Sequence, residues 1–122
     1  MPHILLVDDD EFFRGMLYST LTKIGYQVTE ARNGIEALAH YHHARVVVDV
    51  VITDLFMPEK EGLETISELR EKAPGLKIIA MSAGGRGGRE DAREYLKVAK
   101  IMGVDGMLLK PFSIDELKLA LL

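Results

Sequence analysis

Five short stretches of this chain carry side chains that can do chemistry together. They are Asp8-Asp9-Asp10, Thr53-Asp54, Ser82-Ala83, Lys110-Pro111 and, less regularly, the glycine-rich run Gly84-Gly85-Arg86-Gly87-Gly88. Carboxylates brought close together repel one another and raise each other's pKa. Something cationic must hold them ionised. A hard divalent cation with oxygen ligands is the natural candidate, and Mg²⁺ commonly takes one or two carboxylates together with water and phosphate oxygens. Lys110 adds a fixed positive charge. A carboxylate nucleophile, a metal, a lysine and a hydroxyl together suit phosphoryl transfer, which asks mainly for positioning and charge neutralisation.

That chemistry requires elements that bring distant residues to one place. Short apolar runs at Ile4–Val7, Val50–Ile52 (with valines leading in from Val46), Lys77–Met81 and Met107–Leu109 read as strands buried on both faces. Tyr26–Glu30 alternates and reads as an edge strand. Between them lie segments of helical period. Phe13, Met16, Leu17, Thr20, Leu21 and Ile24 share one face before Gly25. Ile35, Leu38 and Ala39 follow Asn33-Gly34. Leu63, Ile66, Leu69 and Arg70 are stopped by Pro74-Gly75, and Ala92, Tyr95, Leu96, Ala99 and Met102 by Gly103. Ser113 is placed to cap a short fifth helix, with Glu116 as its capping-box partner.

The order is strand–helix five times over: an α/β fold, a parallel sheet between two helical layers, joined by right-handed crossovers. In such a sheet all strand C-termini share one edge, where open α/β folds bind ligands. The Asp8 run, Asp54, Ser82 and Lys110 each fall at the end of a different strand. Neighbouring strands are roughly 4.8 Å apart, so those side chains can share one ligand.

Composition limits the alternatives. The 122 residues fit one domain, read as 1–122 with no output domain. Apolar residues make up 48%, charged residues 28%, and the net charge is −4. The chain has no long basic block, so direct nucleic-acid binding is not expected. It has no cysteine, which excludes disulfides and thiolate metal sites. The first apolar run ends at once in three aspartates, and no run is long enough to span a bilayer. The expectation is a soluble cytoplasmic domain without membrane contact.

Ile4–Asp10, Ile52–Pro58, Gly62-Leu63-Glu64, Ala80–Ala83 and Lys110-Pro111-Phe112, in that order, resemble the receiver domains of two-component response regulators. The resemblance covers nearly the whole chain. It implies a doubly wound (βα)₅ sandwich of strand order 2-1-3-4-5, the order of flavodoxin and CheY. By the same resemblance Asp54 takes the phosphoryl group. Asp9, Asp54 and the backbone carbonyl of Phe56 bind Mg²⁺, and Asp8 acts through a metal-bound water. Ser82 bonds a phosphoryl oxygen, and Lys110, preceding a cis proline, pairs with Asp54. The donor would be a phosphohistidine on a histidine kinase or histidine phosphotransfer protein. The face of helix four, strand five and helix five would meet a downstream effector, in a monomer or weak homodimer. Such a switch promotes its own phosphorylation and dephosphorylation and is not an enzyme in the ordinary sense.

Several residues depart from that pattern or compete with it. Met107 stands where the family usually has a switching aromatic residue. The segment after Ser82 is several residues long for the family; it reads first as a surface loop, and alternatively as a lid with Arg86 or Arg89 and glycine amides near the phosphate. Phe56 could hinder an attacking water. His40, His42 and His43 sit at a helix end, where histidine is electrostatically favoured. Glu59, Lys60 and Glu61 read as a solvated loop. Two other functions stay open on the residues alone: a phosphorylation-independent pseudo-receiver, and a haloacid-dehalogenase-like phosphatase using Asp8 as nucleophile.

Overall fold

The computed structural model describes residues 2–43, 47–55, 62–83 and 89–122. Five strands and five helices alternate: β1 (His3–Val7), α1 (Glu11–Ile24), β2 (Gln27–Ala31), α2 (Gly34–His43), β3 (Val50–Asp54), α3 (Gly62–Lys72), β4 (Lys77–Ser82), α4 (Arg89–Ile101), β5 (Gly106–Leu109) and α5 (Ile114–Leu121). The strands form one parallel sheet in the order β2-β1-β3-β4-β5. The doubly wound architecture expected from the alternation is the one observed.

Strand alternation sorts the apolar side chains into two cores. Leu5, Val7, Val51, Ile78 and Ala80 face Leu38 of α2, Ile66 and Leu69 of α3 and Ala99 of α4. Ile4, Leu6, Ile52, Ile79 and Met81 face Leu17 and Leu21 of α1 and Leu117 of α5. Each fully buried Leu or Ile contributes about 1.5–3 kcal/mol relative to exposure. The central strands therefore cannot slide without turning one set of side chains into the wrong layer.

The helix ends follow from local chemistry. Asp10 caps α1 by accepting from Phe13 N at 3.1 Å, and Gly25 closes it in the left-handed region at φ 115°. Ser113 and Glu116 form the expected capping box at α5. Gly103, at φ 90°, follows α4.

Two details differ from the sequence reading. The valine-rich stretch enters the sheet only at Val50. Val47 is 81% exposed, and Asp49 engages His3 at the strand's start, donating N–H to His3 O at 2.9 Å and accepting His3 N at Oδ2 at 2.8 Å. Val46 lies outside the described residues. Met107 is 40% exposed rather than buried, because the strand order puts β5 at an edge. Its side chain lies by Arg93, Leu96, Lys97 and Lys100 of α4.

Candidate functional site

The aspartate run divides its labour. Asp10 caps α1 and is exposed. Asp8 is fully buried just past β1, and all four of its polar atoms are engaged. Its N–H donates to Ala31 O at 3.1 Å, its carbonyl accepts Arg14 Nη1 at 2.7 Å, Oδ1 accepts Asp10 N at 2.9 Å, and Oδ2 accepts Lys110 Nζ at 2.7 Å. Asp9 reaches solvent between them.

Asp54 is the last residue of β3 and is buried. Its Oδ2 accepts Lys110 Nζ at 2.9 Å, so one ammonium group bridges the ends of β1 and β3 from beyond β5. The Lys110-Pro111 bond is cis. Burial pulls the Lys110 ammonium down, but Asp54 and Asp8 together outweigh it and hold the group above its ordinary value of 10.5. Oxygens of Asp8, Asp9 and Asp54 lie within 4.8 Å of one another. Partial desolvation and the Asp8 charge push Asp9 above the ordinary carboxylate value, against the pull of its backbone hydrogen bond and Lys110. Three carboxylates with one lysine among them leave net negative charge in a small space. That donor set fits a hard divalent cation.

Ser82 is fully buried at the end of β4, one residue beyond Met81, the register partner of Asp54. Its carbonyl accepts Lys110 N at 2.9 Å. The structure thus brings Asp8, Asp9, Asp54, Ser82 and Lys110 to the one sheet edge. Phe56, Glu59, Lys60, Glu61, Arg86 and the side chain of Arg89 lie outside the described residues. The three histidines end α2, at a distance in sequence and fold from this edge, with His42 Nε2 at 2.9 Å from Lys72 Nζ of α3.

The roles of three supporting residues escaped the sequence reading, which named Phe13 only as part of a helix face and Gly62 only as part of a motif. Arg14 is buried on α1 and joins Asp8 O to Glu30 Oε1 of β2, the latter at 3.0 Å. A signal existed: Arg14 precedes Leu17 and Leu21 at core-facing spacing, where an unpaired charge is costly. Gly62 opens α3 directly against Asp54. A Cβ there would lie 2.1 Å from Asp54 O and 2.6 Å from Leu55 Cα. Phe13 sets its ring under Lys110, with Nζ 4.2 Å from the ring centroid.

Comparison with known proteins decides the family. The profile of the response regulator receiver domain matches residues 4–122. This chain belongs to the response regulator receiver family. The chemotaxis protein CheY of Thermotoga maritima is 38% identical over 111 residues, covering 90% of this receiver and 86% of that protein. The probable transcriptional regulatory protein TcrX of Mycobacterium tuberculosis is 33% identical, covering 97% of this receiver but 47% of its own length. The response regulator TrrA of T. maritima, solved in complex with Mg²⁺-BeF, superposes with a TM-score of 0.84 at 34% identity, covering 99% of this receiver and 96% of that chain. Receivers of this family are signalling domains of two-component systems and generally not enzymes. Among the described residues no helix is long and apolar enough to cross a membrane.

Proposed function

We propose that residues 1–122 work as one phosphoacceptor unit in which Asp54 accepts a phosphoryl group from a phosphohistidine. A carboxylate oxygen of Asp54 attacks phosphorus, the P–N bond breaks, and the departing imidazole takes a proton from solvent. The observation that carries this reading is the Lys110 ammonium held 2.9 Å from Asp54 Oδ2 and 2.7 Å from Asp8 Oδ2. A cation there would offset the negative charge that accumulates during transfer.

Asp9 and Asp54, with the Phe56 carbonyl, would hold Mg²⁺, and Asp8 would act through a water. The ion would supply charge neutralisation to the transferred group. The side chain of Asp8 is already committed at both oxygens, which suits an indirect role and disfavours Asp8 as a nucleophile. Ser82 would donate its hydroxyl to a phosphoryl oxygen. The TrrA complex supports this reading, since a fluoroberyllate group is anionic and tetrahedral like a phosphoryl group.

The donor would be a histidine kinase or histidine phosphotransfer protein, and the face of α4, β5 and α5 would present the change to a downstream effector. Met107 lies exposed on that face, so its part in switching would be by repacking against α4 rather than by swinging an aromatic ring inward.

Incubation with Mg²⁺ and acetyl phosphate, followed by intact mass, tests the proposal beside Asp54→Asn. The expected result is one phosphoryl adduct on the parent and none on the variant. An adduct that survives in the variant moves the nucleophile elsewhere, with Asp8 first in line. No adduct on a folded, Mg²⁺-binding parent points to a phosphorylation-independent module or to a strict need for the cognate phosphohistidine donor.

A further inference from the structure

Lys110 must meet two carboxylates at once from the end of a flexible four-carbon stem with many rotamers. The carboxylates fix the ammonium from one side. From another side it rests over the Phe13 ring, 4.2 Å from the centroid. Phe13 in turn packs in a T-shaped pair with Phe112, ring centroids 5.8 Å apart and planes at 80°. Phe112 lies two residues beyond Lys110, so the aromatic pair ties the first turn of α1 to the segment that carries the lysine. A cation over an aromatic face is attracted by the ring's quadrupole, more strongly where water is excluded, and the Lys110 side chain is only 11% exposed.

We propose that Phe13 is a positioning residue for Lys110: its ring face holds the ammonium between Asp8 and Asp54 and so sets the rate of phosphoryl uptake. This rests on the proposed phosphorylation of Asp54, and it goes beyond it by assigning the lysine's placement to α1. The same ring lines a groove between α1 and α5 with Met16, Ile114 and Leu117. A neighbouring groove residue therefore serves as a control for packing alone.

The test compares Phe13→Leu, Phe13→Tyr and Met16→Ala in two measurements. The first is the rate of phosphorylation by acetyl phosphate with Mg²⁺. Loss of the ring face in Phe13→Leu is expected to slow uptake by about five- to tenfold. Phe13→Tyr, which keeps the face, should stay within about twofold, and Met16→Ala should match the parent. The second is the NMR resonance of the Lys110 ε-methylene, which a ring at this distance shifts upfield. The shift is expected in the parent, in Phe13→Tyr and in Met16→Ala, and should vanish in Phe13→Leu. Parent-like uptake by Phe13→Leu, or equal slowing by Met16→Ala, overturns the proposal. So does an unshifted Lys110 resonance in the parent. A parent that takes up no phosphoryl group from acetyl phosphate or from a phosphohistidine donor refutes the proposed function instead; the resonance then decides the lysine's placement by itself.

Discussion

Gly62→Ala should damage both the stability and the chemistry of this receiver, through one contact. The added Cβ would sit 2.1 Å from Asp54 O, 2.6 Å from Leu55 Cα and 2.9 Å from Asp54 C. Real Cβ atoms essentially never approach within 3.0 Å, so the neighbours must separate by about 0.9 Å. These neighbours are backbone atoms, so no rotamer change relieves the clash. Strand β3 is central and buried on both faces, with β1 and β4 bonded to its sides, so it has no room to retreat. The start of α3 can move only by giving up its 3.3 Å bond from Gly62 N to Leu55 O. Overpacking against yielding side chains costs about 1–3 kcal/mol; against backbone the cost should reach the upper end, about 3 kcal/mol.

Part of the strain will fall on Asp54 itself. A displacement near 1 Å at a reacting group can cost about 100-fold in rate. Gly15→Ala is the matched control: nothing lies within 4 Å of its would-be Cβ, and it sits inside α1. That change should stabilise the protein by about 0.5–1 kcal/mol and leave uptake intact. Urea midpoints and acetyl phosphate kinetics read both quantities. A Gly62→Ala protein with a parent-like midpoint and a rate within about twofold of the parent would refute the reasoning.

Three other predictions follow from the site and its surroundings. Asp9→Asn removes a carboxylate whose ionised form the fold disfavours, a penalty felt above its raised folded pKa and relieved as pH falls through it. The metal-free variant should be slightly more stable than the parent at pH 7, an effect kept small by solvent screening. It should also lose the stabilisation by Mg²⁺ that the proposed site would give the parent, about 1.4 kcal/mol at ten times Kd; thermal melts with and without Mg²⁺ check both. Lys110 is held above 10.5 in the fold, so its contribution to stability is fully present below pH 10.5 and is lost as pH rises through the folded value. Urea unfolding from pH 8 to 11.5 should show a steeper alkaline decline in the parent than in Lys110→Met, which keeps only the decline from the other lysines and tyrosines. Arg70 donates to Pro74 O, Leu76 O, Gly103 O and Asp105 Oδ2 at the opposite end of the sheet. Arg70→Met should cost about 2 kcal/mol in urea, less than a fully buried pair because the group is partly exposed, and leave the rate of phosphoryl uptake within about twofold.

Much of the site was legible because its residues sit at strand ends. A parallel sheet converts sequence position into spatial position, so the order of elements alone puts Asp8, Asp54, Ser82 and Lys110 at one edge. The alternation of Tyr26–Glu30 likewise set β2 apart from the strands buried on both faces, and at the edge of a parallel sheet the helical layers cover a strand least. Other features were not legible. That Asp10 caps α1 while Asp8 is buried and saturated depends on where the chain turns, and three identical side chains carry no mark of it. The exposure of Met107 follows from strand order, which the run Met107–Leu109 does not contain.

What the sequence determined by itself is the periodicity, the order of elements and the chemical inventory at the strand ends, because these depend on residue type and spacing alone. The tertiary structure decided which groups touch. It put the Lys110 ammonium on both Asp8 and Asp54, the Arg14 guanidinium on the Asp8 carbonyl, the Phe13 ring beneath the lysine and Gly62 against the Asp54 backbone. Each of these contacts joins elements that meet only when the sheet has formed and a helix has packed against it. Their distances are set by close packing between layers, which no local pattern along the chain encodes.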